Sequence, residues 1–158
     1  MARFHTLRQE QWIPRPIDEV FAFFADAGNL EEITPPWLGF RILAITPGPV
    51  AEGTEIRYRL RLHGIPIFWR TGIRLWQAPR RFVDVQRSGP YQLWHHTHRF
   101  EAREGGTKMT DVVRYTLPFG FLGRIVHAMK VRGDVVRIFD YRRKRIGELF
   151  ATEPNSVP

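Results

Sequence analysis

The chain has no cysteine among its 158 residues. Disulfides, thiolate metal centres and cysteine nucleophiles are therefore excluded, and the absence of disulfides accords with a reducing compartment. Long apolar runs are missing too: nothing approaches the roughly 20 residues that a membrane-spanning helix needs. The opening Met1-Ala2-Arg3-Phe4-His5-Thr6 lacks the apolar core of a secretory signal. These absences predict a cytoplasmic protein without stable membrane insertion. Lysine is scarce, with only Lys108, Lys130 and Lys144, so arginine carries most of the net charge of +8. There is no phosphate-cradling glycine loop and no nucleophile motif. Internal repeats and low-complexity linkers are absent as well.

The basic residues are spread along the chain, and only Arg142-Arg143-Lys144-Arg145 forms a run. On a helix such a run covers one turn and its charges point several ways. It reads as a solvated face, and nucleic acid is not an expected partner.

What is present fits one globular domain over residues 1–158, with 43% apolar and 25% charged residues. Residues Arg3 to Ile13 read as a first strand whose mixed alternation leaves its facing open. Pro14-Arg15-Pro16 stops it. Ile17, Val20, Phe21, Phe24 and Ala25 then recur at helical spacing, with Asp18 and Glu19 in the first turn where the dipole favours anions. Asn29 is expected to cap a second short helix, Leu30 to Ile33, with Glu32 at the capping-box position.

Strand patterns follow at Phe40–Thr46, Thr54–His63, Ile67–Trp76, Phe82–Arg87, Tyr91–Arg103 and Thr107–Leu117, separated by short turns. That spacing implies an antiparallel meander. Thr54 to His63 alternates cleanly, with Ile56, Tyr58, Leu60 and Leu62 on one face and charged residues on the other. From Phe119 to Phe150 apolar residues, Leu122, Ile125, Val126, Met129, Val136, Phe139, Ile146 and Leu149 among them, recur every three or four positions. They predict one amphipathic helix of up to about 45 Å. Gly133 marks a candidate bend, with Asp134 positioned to cap a restart. Residues 151–158 form a polar tail expected to fray. The class is α+β: about seven strands curved around a long C-terminal helix, with two short helices after the first strand. Only that final helix is long enough to cover the sheet's apolar face.

Chemistry concentrates in Trp94 to Phe100. Side chains repeat on one face of a strand every second residue, about 6.6–6.8 Å apart. Trp94, His96, His98 and Phe100 thus share a face. Phe82, Asp84 and Gln86 share one on the preceding strand, as do Met109, Asp111, Val113, Tyr115 and Leu117 on the following strand. If these faces meet inside the curved sheet, polar groups converge among aromatics, as a small-molecule site requires. Tyr58, Trp69, Asp84, Gln86, Trp94, His96, His98, Asp111 and Tyr115 are the candidate ligand contacts. A closed network in which the aspartates merely hold the histidines is the competing structural reading.

The aromatics Phe21, Phe24, Trp76, Phe119, Phe121 and Phe139 read first as core, as does Trp69 apart from its place among the contacts. Trp37 is a cavity gate or a loop anchor. His5, His63 and His127 read as surface or satisfied core residues. His-x-His on a strand also suits a metal, with Asp84 or Asp111 as a third ligand. The cupin spacing is not met, however, and no second histidine motif follows, so neither metal nor other cofactor is expected.

The opening helix Pro16-Ile17-Asp18-Glu19-Val20-Phe21-Ala22-Phe23-Phe24, with Asn29-Leu30-Glu31 and Thr34-Pro35-Pro36-Trp37 after it, resembles the START and Bet v 1-like (SRPBCC) superfamily. That superfamily includes polyketide cyclase/dehydrase-like proteins. Phe82-Val83-Asp84-Val85-Gln86, Gly89-Pro90-Tyr91 through Phe100, and Phe139-Asp140-Tyr141-Arg142-Arg143 resemble a largely uncharacterised bacterial SRPBCC subfamily. The resemblance spans Phe4 to Phe150. It implies a helix-grip fold with an internal cavity, and it covers carriers and enzymes alike.

Three functions are consistent with this. The first is binding of a small hydrophobic ligand, such as a lipid, quinone, polyketide or other aromatic, by a protein that is not an enzyme. The second is a cyclase or dehydratase in which His96 or His98 works with Asp111 as acid and base. The third is an interaction module with a vestigial pocket and a basic surface. Oligomeric state does not follow from the residues.

Overall fold

A computed structural model describes residues 4–151, including all side chains in that span except those at 121, 123, 124, 127 and 128. The expectations for Arg3, Phe121 and His127, and for the tail after Ala151, fall outside the described residues.

Seven strands form one antiparallel sheet in the order β1-β7-β6-β5-β4-β3-β2. They are β1 (His5–Ile13), β2 (Arg41–Ile45), β3 (Glu55–Leu62), β4 (Ile65–Gln77), β5 (Arg81–Ser88), β6 (Leu93–Arg103) and β7 (Gly106–Thr116). β2 to β7 are a meander, and β1 closes onto β7. Inward residues of β1 are settled by tertiary contacts rather than hydrophobicity. Gln9 Nε2 donates to Asp140 Oδ1 at 2.9 Å and Gln11 Nε2 to the Arg143 carbonyl at 2.7 Å, so two glutamines dock the strand on the C-terminal helix.

Helices α1 (Ile17–Ala25) and α2 (Leu30–Ile33) follow β1, joined by a 3₁₀ turn at Ala27–Asn29. Asn29 does not cap α2 with its side chain. It bridges back instead, its Nδ2 donating to the Phe23 carbonyl at 2.9 Å. Asp26 supplies the local cap, accepting from Gly28 N at 2.9 Å, because the intervening turn moves the chain reversal three residues earlier.

The C-terminal helix begins as α3 (Gly120–Val126), passes through a π-helical turn at His127–Val131 and continues as α4 (Arg132–Ala151). The irregularity thus precedes Gly133, which lies inside α4. Asp134 does not cap a restart; its Oδ2 pairs with His63 Nε2 at 2.8 Å and ties α4 to the β3–β4 turn. The apolar periodicity suggests a buried stripe along the whole helix, yet Phe119, Leu122, Ile125, Val126, Met129 and Val136 are exposed. Among the described side chains, core contact starts with Val131 and Val135.

Two apolar clusters hold the layers together. One joins Ile13, Val20, Phe21, Ile33, Phe82, Phe100 and Met109 to Ile146 and Phe150 of α4. The other joins Val113 and Tyr115 of β7 to Val135 and Phe139 of α4. Within the first, Phe21 meets Trp76, Phe82 and Phe100 edge-on at 5.1, 5.9 and 5.4 Å, a geometry that opposes ring edge to ring face.

Candidate functional site

Between the two clusters the sheet and α4 do not close. The gap is a cavity of about 210 Å³. Its walls are largely apolar, with Phe24, Leu38, Ile56, Leu60, Trp76 and Phe139 among them. Asp84, His96, His98 and Arg142 make its polar end.

The strand register creates that end. Asp84 lies opposite His96, and Asp111 opposite His98. The shortest bonds nevertheless run along the diagonals: His96 Nε2 is 2.8 Å from Asp111 Oδ1, and His98 Nε2 is 2.6 Å from Asp84 Oδ2. The direct pairs are longer, with His96 Nδ1 to Asp84 Oδ2 at 3.7 Å and His98 Nδ1 to Asp111 Oδ1 at 3.1 Å. Each carboxylate therefore bridges both imidazoles. Phe82 lies flat on His98, ring centroids 4.0 Å apart, and Phe139 closes on His96 edge-on at 5.4 Å. Arg142 reaches from α4 to within 3.8 Å of Asp111 Oδ1 and 3.4 Å of His98 Nδ1.

Burial pushes the carboxyl of Asp111 up, but the Arg142 charge and the hydrogen bonds from both histidines outweigh it and hold it well below the usual range. Asp84 is lowered too, against burial, by the charges of His96 and His98, the His98 hydrogen bond and Arg142. The histidines diverge. Burial and the neighbouring His98 charge lower His96, whereas hydrogen bonds to Asp111 and Asp84 overcome burial and raise His98. The two histidines are thus set apart, His98 holding its proton to higher pH than His96, while Arg142 and the imidazoles compensate the two buried carboxylates. A buried cluster needs such compensation.

Of the predicted contacts, Tyr58, Trp69, Asp84, Trp94, His96 and His98 line the cavity. Asp111 sits behind the histidines and Tyr115 in the second apolar cluster, neither on the cavity wall. Gln86 is turned away: its side chain donates to the Tyr91 carbonyl at 2.7 Å and accepts from Tyr91 N at 3.2 Å, bracing the β5–β6 turn. Trp37 does not line this cavity. It packs edge-on against Tyr141 at 5.4 Å under the Arg137 guanidinium.

Arg142 is the residue that the sequence reading missed, since a run of basic residues suggests a solvated face. Its side chain is only 11% exposed, while Arg143 and Lys144 are exposed and Arg145 pairs with Glu32 at 3.1 Å. The signal was its register: Val135, Phe139, Arg142, Ile146 and Phe150 fall on one helical face. On two residues that line the cavity, the buried donors Trp69 Nε1 and Arg142 Nε have no hydrogen-bond partner among the described residues.

A family model described as polyketide cyclase/dehydrase and lipid transport matches residues 13–137. The chain belongs to that family. It is thereby a member of the START/Bet v 1-like (SRPBCC) superfamily, with the helix-grip fold. Among solved structures, the ZhuI aromatase/cyclase from Streptomyces sp. R1128 superposes with a TM-score of 0.78 over 98% of both chains at 14% identity. An uncharacterised protein from Rhizobium leguminosarum gives 0.74 at 16% identity, over 97% of this chain and 98% of its own. The major latex-like protein 151 of Panax ginseng gives 0.69 at 11% identity, over 94% and 99%. At these identities the likeness establishes the fold. No curated protein sequence matches. Family membership indicates ligand binding or polyketide cyclase-like activity. No helix among the described residues is long and apolar enough to cross a membrane.

Proposed function

We propose that the protein binds a small hydrophobic, oxygen-bearing molecule of aromatic or polyketide type in the cavity between sheet and α4. The observation that carries this is a largely apolar cavity with one polar end, on whose lining residues Trp69 Nε1–H and Arg142 Nε–H are buried without a partner. A buried donor left unpaired costs about 1–3 kcal/mol, and a ligand carbonyl, phenol or carboxylate removes that cost. The cavity size narrows the class. It exceeds the roughly 150 Å³ that holds benzene and falls short of the roughly 300–1,000 Å³ typical for drug-sized ligands. One or two fused rings fit it better than a two-chain lipid.

Native mass spectrometry of detergent-free protein, followed by denaturing release, tests the reading. An organic adduct of low mass is expected. A bare mass, together with no saturable binding of naphthol-type probes, would overturn it.

A second reading has its own support. His96 and His98 face the same cavity with opposite proton preferences, which is what an acid and base pair needs to remove one proton and return another. On this reading His96 takes a proton from an acidic carbon of a polyketide-like substrate, and protonated His98 assists departure of the hydroxyl as water. Turnover of a β-hydroxy ketone probe that is lost in His98→Gln while probe binding persists would establish it; binding without turnover in the wild type leaves the carrier reading alone.

A further inference from the structure

We propose that Asp84, His96 and His98 form a site for one divalent first-row transition-metal ion, with Asp111 orienting both imidazoles from behind. One donor atom from each of the three residues lies within 4.8 Å of the others. The pattern of second contacts makes this more than a cluster. His96 gives Nε2 to Asp111 Oδ1 at 2.8 Å, and His98 has Nδ1 3.1 Å from that same oxygen. Once the proton shared by His98 Nε2 and Asp84 is displaced and both remaining N–H groups point at Asp111, the lone pairs lie on His96 Nδ1 and His98 Nε2. Both converge on Asp84 Oδ2, at 3.7 and 2.6 Å. A metal-bound histidine characteristically donates its other N–H to a carboxylate, which fixes tautomer and ring orientation. Here one carboxylate serves two histidines, and Arg142, 3.8 Å from that oxygen, holds it in turn.

The spacing suits an ion. Donor atoms bound at about 2.0–2.2 Å stand roughly 3 Å apart. Moving Asp84 Oδ2 away from His98 and toward His96 brings its two distances to that value by rotation of a short side chain. The ion takes the place of the proton between His98 Nε2 and Asp84, and the weaker Arg142 contact to His98 Nδ1 gives way to an N–H directed at Asp111. Two imidazoles and one carboxylate without sulfur favour ions such as Fe(II), Zn(II) or Co(II) over Mg(II) or Ca(II). Arg142 offsets the Asp111 charge and leaves that of Asp84 for the cation. Asp84, His96 and His98 all line the cavity and Asp111 does not, so unfilled coordination positions open toward the cavity. The unmet cupin spacing argued against a metal, whereas the third donor here comes from β5, supplied by the register of Asp84 with His96 rather than by a motif of that kind.

The site shares the cavity with the organic ligand, but its test uses metal alone. Chelator-stripped protein is titrated with Co(II) by calorimetry and visible absorption. One ion per chain is expected, with affinity falling about 100-fold or more in Asp84→Ala and His96→Ala, and about 10- to 100-fold in Asp111→Asn. His63→Ala, outside the cavity lining, should bind as wild type. Should a cavity variant fail to fold, nitrogen NMR of wild-type histidine rings with Zn(II) decides: the rings of His96 and His98 shift, and those of His5, His63 and His95 do not. Absence of one-to-one binding, shifts confined to other histidines, or unchanged affinity in folded Asp84→Ala would overturn the proposal. Any of these leaves the organic-ligand reading standing, and a bare native mass does not affect the metal titration.

Discussion

His96 of β6 stands opposite Asp84 of β5 in the strand register yet makes its short hydrogen bond to Asp111 on the other flanking strand, β7, at 2.8 Å. The diagonal joins β5, β6 and β7 through side chains. It also makes Asp111 the common partner of two histidines and Arg142. Asp111→Ala leaves that arginine buried without its carboxylate, and breaking a buried pair costs about 3–5 kcal/mol. Urea unfolding should show a loss of this size, with far-UV circular dichroism still native at zero urea. A loss under about 1 kcal/mol would mean that solvent reaches the cluster.

The opposed histidines set the pH dependence. His96 is lowered, so below its ordinary value of 6.5 the unfolded chain takes up a proton that the folded protein refuses. Stability therefore falls as pH drops from 6.5 toward its folded pKa. His98 is raised, so its contribution is complete below 6.5 and is lost as pH rises through its folded pKa. Together they place a stability maximum near pH 6.5. Urea midpoints over a series from roughly pH 5 to 8 should trace it. In His98→Gln the alkaline decline should vanish while the acid decline stays. Further down, Asp84 and Asp111 add a loss that begins near their ordinary value of 3.8 and continues as pH falls through their depressed pKa values.

Trp69 separates binding from stability. Trp69→Phe keeps a ring against Tyr58 and Trp94, which sit 5.8 and 5.3 Å from the indole, but removes the unpaired Nε1–H. The lost ring volume destabilises and the lost orphan donor stabilises, so unfolding free energy should change by less than about 1.5 kcal/mol. Affinity for an oxygenated aromatic probe should fall about tenfold, the value of one hydrogen bond. Calorimetric titration with a naphthol and with an unsubstituted naphthalene distinguishes the cases: only the naphthol should lose affinity beyond the loss of contact area.

Gly106 tests the β1–β7 closure. A Cβ built there would collide with the Ile13 carbonyl oxygen, stand 2.9 Å from Trp12 Cζ2 and 3.0 Å from Pro14 Cα. Two of those three neighbours are backbone and cannot rotate aside. Gly106→Ala should therefore cost about 1–3 kcal/mol through forced backbone shifts, read as a lower urea midpoint and faster amide exchange in β1.

Much of this architecture is legible in the residues themselves. Period-two alternation in Thr54 to His63, turn residues at Gly64, Gly89 and Gly105-Gly106, and the change to helical periodicity after Phe119 all report local backbone geometry. Local propensity and burial pattern were enough to place them. The inward sharing of Asp84, His96, His98 and Asp111 also followed, because strand alternation fixes which side chains share a face.

Register and coverage were different. No local signal told Gln86 to turn toward Tyr91 while Asp84, two residues away, faced the histidines. The Asn29 side chain was drawn to the Phe23 carbonyl by a turn whose shape depends on α1 packing. Leu122, Ile125, Val126 and Met129 looked like core, yet all four are exposed. Arg142 looked like surface because its three successors are charged, yet it occupies a core position of α4. Its burial depends on two carboxylate-bearing strands lying underneath, about 31 residues and more away in sequence. Sequence alone fixed what each segment prefers and which faces it presents. Only the tertiary structure decided which faces met, because hydrogen bonds between distant polar groups and the exclusion of water around them exist only once the sheet has closed on the helix.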